Sequence, residues 1–533
     1  MMTSKPIHSS IWALLVVGLA SAALIWAMTA PSGIGYYPDS KSYLSLAGNI
    51  KDELAYKDLT GQYSTHYPPL YPALIASTAY ALQTDTLKVA PRIVAALTFG
   101  LVGALTFCAM SRAYQSAGLI ALGILGMLAQ FVFITFGALA MSETTCLVFI
   151  LAGGLCFAAW RQKPRLSLLI LCGVFFGLAS ITRYAAVIFA VASVPFILFY
   201  PDREKIIKRL FNCALLGAVS YAPLFAWFAG WRILGQSGGA RSISWHPIPT
   251  EKLQSAFRTL GSTIYTGSQI LGVLVILTLL AVFCWEVYRI FKTKGADGEQ
   301  ARAARFQHFI PAYVSGLSLA YMAFIAFSLT FLDHATLLSY RILSPVIWAT
   351  VFLMVFYVAK LLPLDKRKGR IALALVFLIF GGRFVTNAMP FYMDRWQDGM
   401  GIIKVSLDNE EIEKRMLASR DDGRTIYTNR TELLFFGLGL QSKHLPGSVI
   451  YTTGKTNPYY DESMQRIFDE VRNSEAIIFL DSTYSDPYYV PATAEECNAA
   501  NLPQWSYSPD DKYVIYGNVE DAQVIKLPKQ SHP

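Results

Sequence analysis

Three groups of polar residues in this chain have the types and spacing to act on a charged substrate. The first is Gly35-Tyr36-Tyr37-Pro38-Asp39-Ser40-Lys41-Ser42-Tyr43, which directly follows an apolar run. Pro38 suits the first turn of a helix. Asp39 then falls near a helix N-terminus, where the positive end of the helix favours the carboxylate and keeps it available as a base at neutral pH. The same position also fits a helix-capping Asp. The second group is Thr65-His66-Tyr67-Pro68-Pro69-Leu70-Tyr71-Pro72, in which three prolines in five positions make a rigid turn ahead of an apolar helix. His66 can hydrogen-bond a sugar or be structural, and no second ligand is spaced to make it part of a metal site. The third group is a set of charges at the ends of apolar runs: Ser142-Glu143, Thr182-Arg183-Tyr184, Asp333-His334 and Tyr340-Arg341. Arginine offers a fork of donors that suits phosphate oxygens. A single Arg at such a place simply reaches out of the apolar layer to water. Acids and arginines from four separate run ends argue for a site, and a phosphate at that depth belongs to a lipid headgroup.

The elements that must position these residues are membrane helices. Of the 533 residues 54% are apolar and only 15% charged, with mean hydropathy +0.40. A soluble domain is about a quarter charged, so this composition excludes a large soluble enzyme and excludes disorder. Spanning the hydrocarbon core takes about 20 apolar residues. Runs of that kind lie at 11–30, 90–110, 117–140, 144–160, 166–182, 184–200, 210–231, 263–288, 309–331, 340–360 and 371–389, which predicts about eleven spans. The first lacks a well-placed cleavage site and reads as an anchor rather than a signal peptide. Basic connections alternate along the chain, at Arg112, at Arg161 to Arg165, at Arg203 to Arg209, at Arg289 to Arg305 and at Lys366 to Arg370. The positive-inside rule places these loops and the N-terminus in the cytoplasm. The three polar groups then share the external side with a long first loop, 31–89.

The fold class expected is a polytopic α-helical membrane protein with a C-terminal external α/β domain. The membrane domain is 1–391 and the external domain 392–533. Charge divides along the same line, +17 in the first part and −8 in the second, which together give the net +9. The basic balance therefore reflects membrane loops and does not point to nucleic acid. In the C-terminal part, β-type runs at 424–429, 448–453, 476–481 and 513–518 with helical runs between them predict a small, mostly parallel sheet. Its GLGLQSKH stretch (437–444) lacks the spacing of a nucleotide fingerprint. Asn429-Arg430-Thr431 matches a glycosylation sequon. Six of the seven cysteines lie in apolar runs with no CxxC pair, so neither a disulfide framework nor a cysteine zinc site is expected.

Taken together, these residues resemble the GT-C superfamily of integral-membrane glycosyltransferases. The likeness is to bacterial members of the dolichyl-phosphate-mannose-protein mannosyltransferase (family 39) and aminoarabinose-transferase type. It is carried by Pro38-Asp39-Ser40 with Tyr43 and Ala47, by His66 to Pro72, by Arg92 opening the second span, by Ser142-Glu143, by Thr182-Arg183-Tyr184, and by the Tyr340 to Pro345 stretch. The resemblance implies a donor sugar carried on a polyprenyl phosphate, membrane lipid around it, and a glycan, lipid or protein acceptor. It implies that Asp39 is the base, that Glu143 helps hold acceptor or sugar, and that Arg183, Tyr184 and Arg341 bind the phosphate. His66, Tyr43, Arg92, Asp333 and His334 are the further substrate-binding candidates. No cofactor is required, and one Asp and one Glu on separate loops fit a reaction with or without a divalent metal ion. Two other readings stand beside this one: a polysaccharide polymerase or ligase using lipid-diphosphate donors, and a lipid or solute transporter. The transporter is disfavoured because ionisable groups crowd one face and few lie in mid-span.

Overall fold

The computed structural model describes residues 11–58, 63–233, 243, 245–292, 299–333, 336–401, 412–417, 423–450, 455–481, 494–507 and 513–517, with 115, 203, 266, 415 and 503 excepted. Hydrocarbon offers no partner to a free backbone N–H or C=O, so a chain this apolar satisfies its backbone inside helices. Among the described residues eight helices are long and apolar enough to cross a membrane. They are α1 (Ile11–Met28), α4 (Val89–Ala113), α7 (Glu143–Gln162), α10 (Ile206–Ile233), α12 (Gln269–Lys292), α13 (Glu299–Phe331), α14 (Tyr340–Leu364), and α15 (Lys366–Arg383), which runs on through a π-helical turn at Phe384–Ala388 into α16 (Met389–Asp398). Between them lie α2 (Pro38–Glu53), α3 (Leu70–Ala81), α5 (Ala117–Leu128), α6 (Phe131–Gly137), α8 (Leu166–Ser180), α9 (Ile188–Leu198) and α11 (Thr250–Gly261).

The structure reshapes three of the expected spans. The run at 117–140 is not one helix: α5 and α6 meet at 68°. At the break Gln130 has an extended backbone, and its amide donates to the Thr263 carbonyl at 3.2 Å. The runs at 166–182 and 184–200 are helical only over α8 and α9, because the chain opens at Thr182-Arg183 and makes a 3-10 turn at Tyr184–Val187. The eight helices, the bent pair and these two shorter apolar helices make up the eleven segments that the hydropathy predicts.

Small residues and aromatic rings set the packing. The Gly100 and Gly103 positions of α4 lie against Gly18, Ser21 and Ala22 of α1. In the core Phe157 of α7 stacks on Tyr313 of α13 at 4.8 Å, and Trp348 of α14 donates to Thr106 of α4 at 3.0 Å. At the end of the bundle away from Asp39, three helices meet on one buried acid. Glu286 of α12 is fully buried and takes His308 of α13 at 2.5 Å, Tyr357 at 2.7 Å and Lys360 at 2.9 Å, both of α14. Removing a buried acid of this kind leaves its partners, Lys360 among them, without the group they bond.

The chain divides into two compact units, the second beginning at Lys404. The first extends past the last apolar run because α15 continues into α16 and because Tyr36 and Gly401 form a parallel bridge. In the second unit the strands are β1 (Thr425–Thr428), β2 (Lys443–His444), β3 (Val449–Ile450), β4 (Lys455–Thr456), β5 (Ala476–Asp481), β6 (Gln504–Tyr507) and β7 (Tyr513–Tyr516). Five of them form a sheet in the order β2-β1-β5-β7-β6. β1 runs parallel to β2 and β5, while β7 is antiparallel to both β5 and β6. The sheet is therefore mixed rather than mostly parallel, since its last two strands pair directly with each other. The run at 448–453 does not join it; β3 and β4 make a separate antiparallel ribbon. Central β5 is buried at every residue, which matches the apolar run Ala476 to Leu480, and its terminal Asp481 is paired with Arg430 at 2.6 Å. The sequon residue Asn429 is buried, and its amide exchanges hydrogen bonds with the Asp481 backbone at 2.8 and 2.9 Å, so it is not presented for glycosylation.

One expected outcome concerns the bundle. Glu286→Ala should cost about 3 kcal/mol of stability, because Lys360 loses its counter-ion and the buried His308 and the Tyr357 hydroxyl lose their hydrogen-bond partner. Thermal unfolding in detergent or nanodiscs reads this directly, and an unchanged midpoint would show that Glu286 does not hold α12, α13 and α14 together.

Candidate active site

Four charged side chains from four separate stretches of chain meet at one end of the bundle. Asp39 arrives on the first turn of α2, whose start is defined by Pro38 and by the Tyr37 N–H donating to Ser40 Oγ at 2.9 Å. Just upstream, the Gly35 N–H donates to the Ala138 carbonyl (2.9 Å) and the Ala140 N–H to the Gly35 carbonyl (2.8 Å). A side chain at position 35 would run into the Met400 carbonyl and Leu139, so only glycine allows this approach. The short ladder ties the start of α2 to the chain entering α7, where Glu143 is the first helical residue. Arg183 stands in the opening between α8 and the 3-10 turn, and Arg341 is the second residue of α14.

Arg341 is the bridge. Its Nε donates to Glu143 Oε1 and its Nη2 to Asp39 Oδ2. Arg183 Nη1 donates to the same Glu143 oxygen at 2.6 Å and to Ser142 Oγ at 3.2 Å. Ser142 makes no capping bond with its side chain, which leaves the hydroxyl to meet Tyr43 at 2.9 Å. Tyr67 donates to Asp39 Oδ1 at 3.3 Å, and the Tyr67 and Tyr71 rings both meet Tyr43 edge-on at about 5 Å. The two acids sit in first turns, where the helix dipole favours an anion. Arg341 sits in one too, which disfavours a cation by up to about 1 kcal/mol, and its two carboxylate partners offset this. Exposure orders the cluster: the Glu143 side chain is 4% exposed, Arg183 16%, Arg341 18% and Asp39 26%. Asp39 is thus the member open to an incoming group. Glu143 Oε2 is buried with no partner among the described residues.

Burial alone would raise the Asp39 carboxyl, but Arg341, its hydrogen bond, Arg183 and the Tyr67 hydroxyl outweigh burial and hold it below the usual carboxylate range. Burial pushes the Tyr43 phenol up to about 12, so it remains an O–H. Beside the charges is a space of about 310 Å³ lined by Glu143, Arg183, Arg341, Tyr321 and Ser344. It shares Leu147, Ile150, Tyr321 and Pro345 with a larger space of about 2000 Å³ walled mostly by apolar and aromatic side chains such as Phe309, Tyr313 and Trp348, and lined also by Arg112, Gln162 and Lys163.

The structure brings together Asp39, Tyr43, Glu143, Arg183 and Arg341 and places the other named residues differently. The His66 ring packs edge-on against Tyr67 at 4.8 Å, one residue removed from Asp39. The Tyr184 hydroxyl donates to the Thr65 carbonyl at 2.8 Å and accepts from Trp227 at 3.1 Å. Arg92 is not in the cluster: it stacks on Trp26 at 3.8 Å and donates to Thr29 Oγ1 (2.9 Å) and the Trp26 carbonyl (2.8 Å), fastening α4 to the end of α1. Asp333 lies in the field of Lys252 on α11, and His334 lies outside the described residues. Two contributors carry little signal in sequence. Tyr67 sits inside the proline turn. Tyr56, which nothing in the sequence marks, reaches the Tyr67 and Pro68 carbonyls at 2.9 and 3.1 Å. Together with Tyr184 it fixes the segment that presents Tyr67 to Asp39. Among the described residues no three His, Cys, Asp or Glu side chains lie together to hold a metal ion. The two carboxylates here face guanidinium groups, a donor set that does not fit a metal.

This architecture shares its fold with the solved structures of ArnT and of an archaeal oligosaccharyltransferase. ArnT from Cupriavidus metallidurans, bound to undecaprenyl phosphate, matches with a TM-score of 0.53 at 14% identity, over 95% of this chain and 98% of that one. The same enzyme in the apo state matches at 0.51 and 12%. An oligosaccharyltransferase from Archaeoglobus fulgidus, in complex with zinc and sulfate, matches at 0.51 and 10%, over 95% of this chain and 73% of that one. At the level of sequence, the family described as dolichyl-phosphate-mannose-protein mannosyltransferase matches residues 66–231, a stretch that runs from the proline turn through Glu143 and Arg183. No curated protein matches the chain.

The depressed carboxyl has a thermodynamic signature. A group whose folded-state proton affinity is lowered contributes stability above its unfolded pKa, about 4 for Asp, and loses it as pH falls through the folded value. Asp39→Asn should therefore be about 1–2 kcal/mol less stable than wild type at neutral pH, with the gap closing as the pH is taken well below about 4. Unfolding midpoints of both proteins across that range check this; parallel curves would detach Asp39 from Arg341.

Proposed function

We propose that this chain is an inverting glycosyltransferase that moves a sugar from a polyprenyl-phosphate carrier to a glycan, lipid or protein acceptor. It works at the external face of a cell membrane, the inner or plasma membrane, with the N-terminus in the cytoplasm and the C-terminal domain outside. The observation that carries this reading is the charge-balanced cluster of two carboxylates and two arginines at one end of an apolar bundle, open to an apolar space. The GT-C fold supports it, as does the ArnT structure that holds undecaprenyl phosphate.

Each group then has a part. The polyprenyl chain lies in the large apolar space, and its phosphate meets Arg183 and Arg341, whose forked donors match phosphate oxygens. Asp39 takes the proton of the acceptor hydroxyl or amine. The acceptor attacks the anomeric carbon on the face opposite the phosphate, so configuration inverts. Glu143 holds both arginines in place and presents its free oxygen towards the sugar or acceptor. Phosphate is a fair leaving group, so positioning, a base and charge stabilisation are what the protein must supply. The lipid carrier removes any need for a soluble nucleotide sugar outside the cell.

The deciding assay uses purified protein in nanodiscs with a panel of polyprenyl-phosphate sugars and follows release of polyprenyl phosphate. Asp39→Asn should lower release by roughly 10²–10⁴-fold while leaving donor binding in place. Arg183→Ala should weaken donor binding or slow transfer by about 2–5 kcal/mol, as expected where a desolvated phosphate loses its partner. Turnover by Asp39→Asn at the wild-type rate would remove the base assignment. Silence across the panel with reaction of diphosphate-linked donors would replace this reading with a polymerase or ligase.

A further inference from the structure

The cluster that would bind the donor phosphate is already charge-balanced. Both donor directions of Arg341 that face the site end on carboxylates, Asp39 and Glu143, and Arg183 ends on Glu143. Two acids and two arginines sum to zero. A phosphate arriving at Arg341 competes with its present partners and gives the site surplus negative charge, which favours release of one carboxylate. Glu143 is the wrong partner to leave, because it is 4% exposed and also held by Arg183. Asp39 is the right one, because it is the most exposed of the four and keeps only the Tyr67 hydroxyl once Arg341 lets go.

We infer that Arg341 is an exchange ligand, paired with Asp39 in the empty site and with the carrier phosphate in the loaded site, so that donor binding itself releases Asp39 to act as the base. This rests on the transferase reading and adds the coupling between the two substrates. While Asp39 is paired with Arg341 it is a weak base. After the exchange it has lost its cation and gained an anion nearby, and its affinity for a proton rises. The groups that act on it are Arg341 from α14, Arg183 from the opening after α8, Tyr43 from its own helix and Tyr67 from the proline turn, with Glu143 of α7 sharing Arg341. Of these only Arg341 holds the Asp39 carboxylate by a direct ion pair.

The transfer step then balances. The anomeric C–O bond to phosphate breaks with its electron pair going to the phosphate oxygen. The bond from acceptor to anomeric carbon forms, and the acceptor proton goes to Asp39. The phosphate gains one negative charge as Asp39 loses one, and Arg341 stands beside the oxygen that gains it. The product complex is therefore carrier phosphate with a protonated Asp39. It can be assembled without any sugar or acceptor.

Undecaprenyl phosphate is the probe. Wild type and Asp39→Asn are titrated with it by calorimetry in nanodiscs, in buffers of different ionisation enthalpy, at several values between about pH 6 and about pH 8. Wild type should take up protons on binding, and its affinity should fall as pH rises. The titration of the phosphate itself is common to both proteins and cancels in the comparison. Asp39→Asn should bind several-fold more tightly at the upper pH, because a neutral amide no longer competes for Arg341, and it should lose the extra proton uptake. Infrared difference spectra of wild type, which need no variant, should show a protonated carboxyl on adding the probe. Equal or weaker binding by a folded Asp39→Asn with unchanged proton uptake overturns the exchange. So does wild-type binding that requires a divalent cation and takes up no proton. If wild type does not bind undecaprenyl phosphate at any pH, the transferase reading itself fails.

Discussion

A single guanidinium holding two carboxylates at the end of an apolar bundle is the constraint around which the first unit is arranged. Ionised groups at such a place are costly unless paired. Arg341 can pair with both acids only if the first turns of α2, α7 and α14 point at one another. The Gly35 ladder, the open chain at Thr182-Arg183 and the Tyr56 and Tyr184 hydroxyls on the proline turn all serve that convergence. Below it the stacking of Phe157 on Tyr313 holds α7 to α13 and the Trp348–Thr106 bond holds α14 to α4, while Glu286 joins α12, α13 and α14 at the far end. The apolar space lies between the two anchored ends.

The charge arithmetic of the cluster also explains its chemistry. Neutral as it stands, the group can be buried without excess cost. In the exchange we infer, it becomes negative only when a phosphate enters, and the most exposed acid gives way. That exchange makes binding and activation the same event. A base that stayed free throughout would be a stronger nucleophile towards the donor in the absence of acceptor; one that stayed paired would not accept a proton.

The residues of the cluster are legible in sequence because each is a charge where an apolar run ends, and burial makes such charges rare. Direction is not legible. Arg92 has the same sequence setting as Arg183, yet it turns towards Trp26 and Thr29, since a span-end arginine is placed by whichever carbonyls and rings its neighbours leave free. Tyr56 and Tyr67 escape notice for the opposite reason: tyrosine is common near membrane surfaces, and only the fold shows which hydroxyl finds a carbonyl or carboxylate. The break at Gln130 depends on one polar residue in a long apolar run, too small a change for hydropathy to register. In the second unit, alternation of strand and helix suggested parallel pairing. The direct pairing of β6 with β7 depends on which neighbour β7 meets, and local pattern does not encode that.

The separation of these partners along the chain has a consequence for how the protein is made. Asp39 and Glu143 precede Arg341 by 302 and 198 residues. During synthesis both acids, and the helices that carry them, enter the membrane long before their common partner exists. Until α14 is inserted, Arg183 is the one arginine of the cluster available to two carboxylates, and the nascent bundle holds an uncompensated charge. Insertion of α14 neutralises it. The last third of the membrane unit therefore completes the electrostatics of the first, and a ribosome-bound chain that ends before residue 341 is an acid-bearing intermediate waiting for its counter-ion.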